Sequence, residues 1–160
     1  MMPTTALVLV LLTTSLNVAY AAPATVNTVH DGDTLSVDVK DGVVNLRLYG
    51  IDAPESGQNG NVTAKRFLLR LVSGHPLEIE EMGTDRFGRT LAIVIRKGKE
   101  SSVNAAMVGN GYAWVNPDQC KARECVRWKG LEAQARRLGL GIWSGHDLVP
   151  PWEFARRQRQ

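Results

Sequence analysis

The sequence predicts a mixed α+β domain built on a five-stranded barrel with about three helices. Two patterns carry that reading. Five stretches read as strands, the second to fourth with apolar residues at period two and the fifth as a continuous apolar run, and helical spacing appears once between the third and fourth stretch and again after the fifth. Three strands, a helix, two strands and then helices is the order of an OB-fold barrel. The chain has 160 residues, 44% hydrophobic and 22% charged, which suits one domain with one core. The net charge of +3 is a mild basic excess that points toward an anionic partner.

The first residues are set apart from the fold. "ALVLVLL" (Ala6 to Leu12) is a short apolar run, and Ala19-Tyr20-Ala21 is a small-x-small cleavage pattern. The run is far below the ~20 residues of a membrane span. A secretory signal over residues 1–21 is expected, with an uncleaved anchor as the other reading; no Lys or Arg precedes the run. The mature chain is expected to be exported, to the periplasm or the medium, without a membrane span and as a monomer. Residues 22–150 form the expected domain and residues 151–160 a loose basic tail.

Residues 24–30 and 34–39 read as strands: Leu35, Val37 and Val39 alternate with Ser36, Asp38 and Lys40. Asp41-Gly42 is a hairpin signal, and Val44, Leu46, Leu48 and Ile51 continue as a third strand. "APESGQNGN" is a loop. Thr63 to Val72 has helical spacing through Phe67, Leu68, Leu71 and Val72. Leu77 and Ile79 alternate with Glu78 and Glu80, and "TLAIVI" is a fifth strand, apolar enough to be buried on both faces. Ser102 to Asn110 is a short capped helix, and Val126 to Leu138 a last one. Asn61-Val62-Thr63 is a glycosylation sequon, relevant only in a eukaryotic host. Cys120 and Cys125 are the two cysteines, either bridged or a pair of thiols; a bridge would close a small loop, for roughly 2 kcal/mol. A zinc site is excluded by the scattered His30, His75 and His146.

"HDGDT" places Asp31 and Asp33 around Gly32. On this fragment alone it is either a tight turn or a metal or acid–base site. The hairpin brings the start of the second strand beside the end of the third, so Asp33 and Asp52 meet at one end of the sheet, with Glu55 close by. Converging carboxylates need a cation, or their repulsion raises a pKa. With oxygen ligands only, that cation is calcium or magnesium. Arg47 points away from the face that Leu46 and Leu48 fill, and Arg89 heads the fifth strand. Arginines beside a hard cation and a spare carboxylate suit phosphoryl transfer; each arginine alone could equally pair with a surface acid.

"HDGDT", "RLYGIDAPES", "TDRFGRTLAIV" and "LEAQARRLGLGIW" together resemble the staphylococcal nuclease (thermonuclease-like) family, over residues from about 25 to 144. The resemblance implies an OB-fold nuclease that cuts DNA and RNA with one bound Ca2+, Mg2+ being the less favoured ion. It implies Asp33, Asp52 and the Ala53 carbonyl as metal ligands, Asp31 as a supporting acid, and Glu55 as the residue that orients or deprotonates water. It implies Arg47 and Arg89 as the phosphate-binding pair. The implied reaction is in-line attack by metal-activated water, breaking the bond to the 5′ oxygen and leaving 3′-phosphorylated products. Arg86 and Phe87 stand where the family often has a Lys-Tyr pair, and Trp114 aligns with an aromatic of the substrate site; all three are expected to bind substrate, with core packing as the other reading for Trp114. Asn116 falls where a second aromatic is common. Lys121, Arg123, Arg127, Lys129, Arg136 and Arg137 read either as a phosphate-tracking surface or as a solvated helix face.

Three rivals differ in class. A non-catalytic OB-fold module that binds single strands keeps the fold without the chemistry, but all five key side chains are present here. A calcium-sensor loop fails because "DGDTLSVDVKDG" lacks the alternating ligands of an EF-hand. A serine hydrolase fails because Ser144 near His146 does not sit in a nucleophile elbow.

Overall fold

The computed structural model describes residues 23–146 and 148–159, so the expected signal segment, residues 1–21, lies outside the described residues. Strands β1 (Thr25–Val29), β2 (Thr34–Val39) and β3 (Gly42–Leu48) form an antiparallel meander. Strand β4 (Ile51–Asp52) follows, then helix α1 (Asn61–Val72), strands β5 (Leu77–Thr84) and β6 (Thr90–Arg96), and helix α2 (Val103–Gly109). Strand β7 (Trp114–Val115), helix α3 (Glu124–Arg137), a 3-10 turn (Gly141–Ser144) and helix α4 (Pro151–Arg157) complete the order.

The expected closed five-stranded OB-fold barrel with about three helices is not what these elements build. Five strands form one sheet in the order β1-β2-β3-β6-β5, and β4 pairs with β7 in a separate two-stranded sheet. The outer strands β1 and β5 meet only through one bridge, Ala24–Leu77, with backbone bonds of 2.9 and 2.7 Å. Strand β1 is short and mostly exposed, as a polar sheet edge is, and no ladder seals it to β5. The described residues hold four α-helices, because the tail expected to be loose folds into α4. Its signals are local: Pro151 in the first turn, Glu153 near the start, Arg156 and Arg157 at the end.

Two smaller differences aim the site. The β2–β3 register pairs Val39 with Gly42, so the hairpin tip is Lys40-Asp41 and not the expected Asp41-Gly42. The third strand also stops at Leu48 instead of running through Ile51. Gly50 takes a positive φ of 70°, and a Cβ there would lie 2.6 Å from Cys120 Sγ. Only glycine meets both conditions, and the reversal hands Ile51 and Asp52 to β7.

The core lies between the sheet and helices α1 and α2, filled by Leu35, Val37, Leu46, Leu48, Leu68, Val72, Val94 and Met107. In β6, Ala92, Ile93 and Val94 are all buried, as its apolar run requires. Asn104 is a fully buried polar residue against this core. Its Oδ1 accepts from Val94 N (3.0 Å), and its Nδ2 donates to the carbonyls of Tyr49 (3.0 Å) and Ala92 (3.1 Å). It therefore ties α2 to β6 and to the reversal after β3. No helix among the described residues is long and apolar enough to cross a membrane.

Asn104→Ala strands the Val94 N–H and the Tyr49 carbonyl in the interior and takes one of two donors from the Ala92 carbonyl, which keeps Tyr49 N at 2.8 Å. It is expected to lower unfolding free energy by about 3 kcal/mol, read as a drop in the urea midpoint at unchanged slope.

Candidate active site

The β2–β3 register sets Thr34 opposite Arg47, and Leu48 N donates to Asp33 O at 2.8 Å. Asp33 thus stands at the end of the hairpin beside the outward-facing Arg47. The Gly50 reversal returns Asp52 to the same place. The Arg47 guanidinium lies between the two acids, Nη1 donating to Asp33 Oδ1 and Nη2 to Asp52 Oδ1. The three side chains are nearly sealed from water, at 3% exposure for Asp33, 7% for Asp52 and 13% for Arg47.

Each acid has further partners. Asp33 Oδ1 accepts from Thr34 Oγ1 (3.0 Å), and its Oδ2 from Ala53 N (2.7 Å). Asp31 Oδ1 accepts from Asp33 N at 3.0 Å, closing the turn that aims Asp33. Gly32 belongs there for want of space and not for an unusual backbone: its φ is not positive, but a Cβ would fall 2.6 Å from Ala53 Cβ and 2.8 Å from Ala64 Cβ. Asp52 Oδ2 accepts from Asn116 Nδ2 at 3.3 Å, and Asn116 Oδ1 accepts from Asp118 N and Gln119 N. Burial raises the Asp52 carboxyl above its ordinary value, against the opposing pull of Arg47.

Arg89 reaches the same centre from β6. Its Nε donates to Asp85 Oδ2 (2.7 Å) and its Nη1 to Thr34 Oγ1 (3.3 Å), so Thr34 joins Arg89 to Asp33. At Asp85 desolvation raises the carboxyl, but the hydrogen bonds from Arg89 and from the backbone N–H groups of Arg89 and Phe87 outweigh it and hold it below its ordinary value. Glu55 sits exposed on the loop after β4. Desolvation by the wall of the site, then the charge of Asp52, raises its carboxyl above the ordinary glutamate value; Arg47 and Arg89 oppose the rise. The loop is held by Gln58, whose Oε1 accepts from Glu55 N (3.0 Å) and whose Nε2 donates to Val149 O (2.6 Å).

The structure thus brings Asp31, Asp33, Arg47, Asp52, Ala53, Glu55 and Arg89 to one end of the sheet. Phe87 is exposed on the β5–β6 turn, with the guanidinium of Arg86 4.7 Å and that of Arg89 5.5 Å from its ring centre. Trp114 is placed differently: it is 2% exposed and packs edge-on against Trp143 at 4.8 Å, so the indole belongs to the packed interior. Cys120 and Cys125 are bonded to each other, behind Gly50. In the basic region Arg123 pairs with Glu124 and Arg136 with Glu132. Sequence reasoning passes over Thr34 and Asp85, which hold Arg89, and marks Asn116 only as a departure from an aromatic position, not as the partner of Asp52. Asp85 was within reach, four residues before Arg89; the Asn116–Asp52 contact spans 64 positions and has no local signal.

Among the described residues no three His, Cys, Asp or Glu side chains group as a metal site. The donors offered are two carboxylates and the Ala53 carbonyl, which accepts no hydrogen bond among the described residues. An all-oxygen set with residual negative charge fits a hard divalent cation.

A family model described as "Staphylococcal nuclease homologue" matches residues 45–145. The chain is similar to "Micrococcal nuclease" of Shigella flexneri, 34% identical over 81% of this chain and 78% of that one. It is similar to "Protein ParB" of Escherichia coli, 37% identical over 79% and 75%. An "Uncharacterized endonuclease" of Escherichia coli O157:H7 is 35% identical over 80% and 81%.

Two outcomes test this geometry. Gly32→Ala forces apart Ala53 and α1, and is expected to lower stability by about 2 kcal/mol in urea unfolding. Because ionised Glu55 is disfavoured in the fold, the folded chain binds that proton more tightly than the unfolded chain does, and stability falls as pH rises through the folded-state pKa. In chelator at neutral pH, Glu55→Gln should therefore melt about 1–2 °C higher than wild type, screening at this exposed position keeping the effect below ~1 kcal/mol. That gain should shrink in melts run below the ordinary glutamate pKa.

Proposed function

Because the chain belongs to the staphylococcal nuclease family and is a phosphodiester-cleaving hydrolase of the endonuclease type, we propose that it is a calcium-dependent nuclease acting on both DNA and RNA. The observation that carries this reading is the Arg47 guanidinium set between Asp33 and Asp52, with Glu55 and Arg89 at the same end of the sheet. In this reading Asp33, Asp52 and the Ala53 carbonyl hold one Ca2+. The ion supplies positive charge against the non-bridging phosphate oxygens and lowers the pKa of water.

The chain's own residues supply the rest. Arg47 uses two of its five N–H donors on the aspartates, and the others are available to a phosphate oxygen. Arg89, its Nε fixed by Asp85, offers further donors to the same phosphate. Together they neutralise charge that grows as phosphorus becomes pentacovalent. Glu55 orients a water opposite the 5′ oxygen and takes its proton. Its raised pKa makes it a better base, at the expense of activity in acid. The bond from phosphorus to the water oxygen forms and the bond to the 5′ oxygen breaks; that oxygen takes a proton from solvent and leaves as a 5′-hydroxyl, phosphate stays on the 3′ side, and Glu55 returns its proton to solvent. Phe87 and Arg86 are accessible for a base and its phosphate, whereas Trp114 acts through packing.

The protein is proposed to work outside the cytoplasm, in periplasm or medium, as a monomer after removal of residues 1–21. The Cys120–Cys125 bond supports an oxidising compartment.

Single-stranded DNA is expected to be cut with calcium and spared with chelator. Glu55→Gln and Arg47→Ala should each lose roughly 10²–10⁴-fold in kcat/KM. Folded wild type that binds the strand but cuts nothing under any divalent ion would replace this reading with a non-catalytic single-strand-binding module.

A further inference from the structure

Helix α4 begins beyond the last residue matched by the family model. It packs back toward the Glu55 loop, its approach fixed by the Gln58–Val149 bond. Between helix and loop lies a shallow depression of about 280 Å³, lined by Glu55, Ser56, Phe154, Ala155, Gln158 and Arg159. Phe154 is partly exposed there and Arg159 is exposed. Among the described residues, no carboxylate forms an ion pair with Arg156, Arg157 or Arg159.

A polynucleotide cut within its length continues on both sides of the scissile phosphate. Arg86 and Phe87, on the β5–β6 turn, can take one side. The α4 depression adjoins Glu55 and offers the same two kinds of group, an aromatic ring and a guanidinium, in Phe154 and Arg159 of its lining. A base stacks on the first, and a backbone phosphate pairs with the second. The local negative charge of Glu55 sets where that phosphate can lie, on the Arg159 side.

We propose that the depression between α4 and the Glu55 loop is a nucleotide subsite, with Phe154 stacking one base of the substrate strand and Arg159 binding the adjoining phosphate. The subsite rests on the nuclease reading above and extends it to residues outside the family match.

The test is steady-state cleavage, with calcium, of a single-stranded DNA of about 12 nucleotides, by wild type, Phe154→Ala, Phe154→Leu and Arg159→Ala. Phe154→Leu keeps apolar bulk against α4 and removes only the aromatic face. KM is expected to rise about tenfold in both Phe154 variants, the loss falling in KM rather than kcat. Arg159→Ala should also raise KM and lower the log–log salt dependence of binding by about one, which the Phe154 variants should not do. KM within about twofold of wild type in Phe154→Leu and Arg159→Ala overturns the subsite. So does a loss confined to Phe154→Ala and tracking its melting temperature, which is a packing effect. A wild type that cuts no DNA overturns the hydrolytic reading, and the subsite with it.

Discussion

Two carboxylates removed from water beside one guanidinium are the constraint around which this fold is arranged. Asp33 and Asp52 are 2% and 5% exposed, and Arg47 donates to both. An isolated ion in such a place costs several kcal/mol, recovered only with close partners and satisfied lone pairs. The partners are accordingly complete: Thr34 and Ala53 N on Asp33, Asn116 on Asp52. One arginine against two aspartates still leaves a unit of negative charge, with Asp31 and Glu55 adding to it. Burial raises the Asp52 carboxyl, and the charge of Asp31 adds a smaller push in the same direction. A core arranged for stability alone would not keep such an arrangement, since well-packed apolar side chains of similar volume are often as stable or more so.

The sheet delivers this centre through register. Side chains alternate along β3, so Leu46 and Leu48 fill the core while Arg47 faces the other way. A slip of one residue against β2 would bury the guanidinium among leucines and expose both leucines. The apolar pattern that stabilises the hairpin is therefore the same pattern that aims the arginine. Gly50 then turns the chain within two residues, in space already taken by Cys120 and Trp128. Cys120, held by the disulfide, donates its N–H to the Asn116 carbonyl at 2.9 Å, next to the side chain that bonds Asp52.

The sequence made legible whatever local pattern determines. The five long strands, three of the helices and the gathering of Asp33, Arg47, Asp52, Glu55 and Arg89 follow from periodicity, one hairpin and a set of motifs. Contacts between distant parts were not legible. Whether β1 seals to β5 depends on how the sheet coils, and the count of strands does not contain that. Gly32 is needed because Ala53 and Ala64 crowd it, 21 and 32 positions away. Trp114 reads as an aromatic of the substrate site until Trp143 is seen to cover it. Helix α4 was different: its proline, acid and arginines are in plain view, but a basic terminal segment was read as solvated chain.

Glu55 is the exposed member of the centre, carried on the loop after β4. An exposed side chain on a loop gains access to solvent and loses position by it. Gln58 resolves the conflict, since one side-chain amide holds Glu55 N at one end and Val149 O at the other. The Glu55 loop is thereby tied to the segment that leads into α4. The position of Glu55 then depends on residues outside the 45–145 match, although Glu55 itself lies within it. One side-chain amide thus couples a loop inside the family match to a helix outside it, and a change in either end of the Gln58–Val149 bond is felt at Glu55.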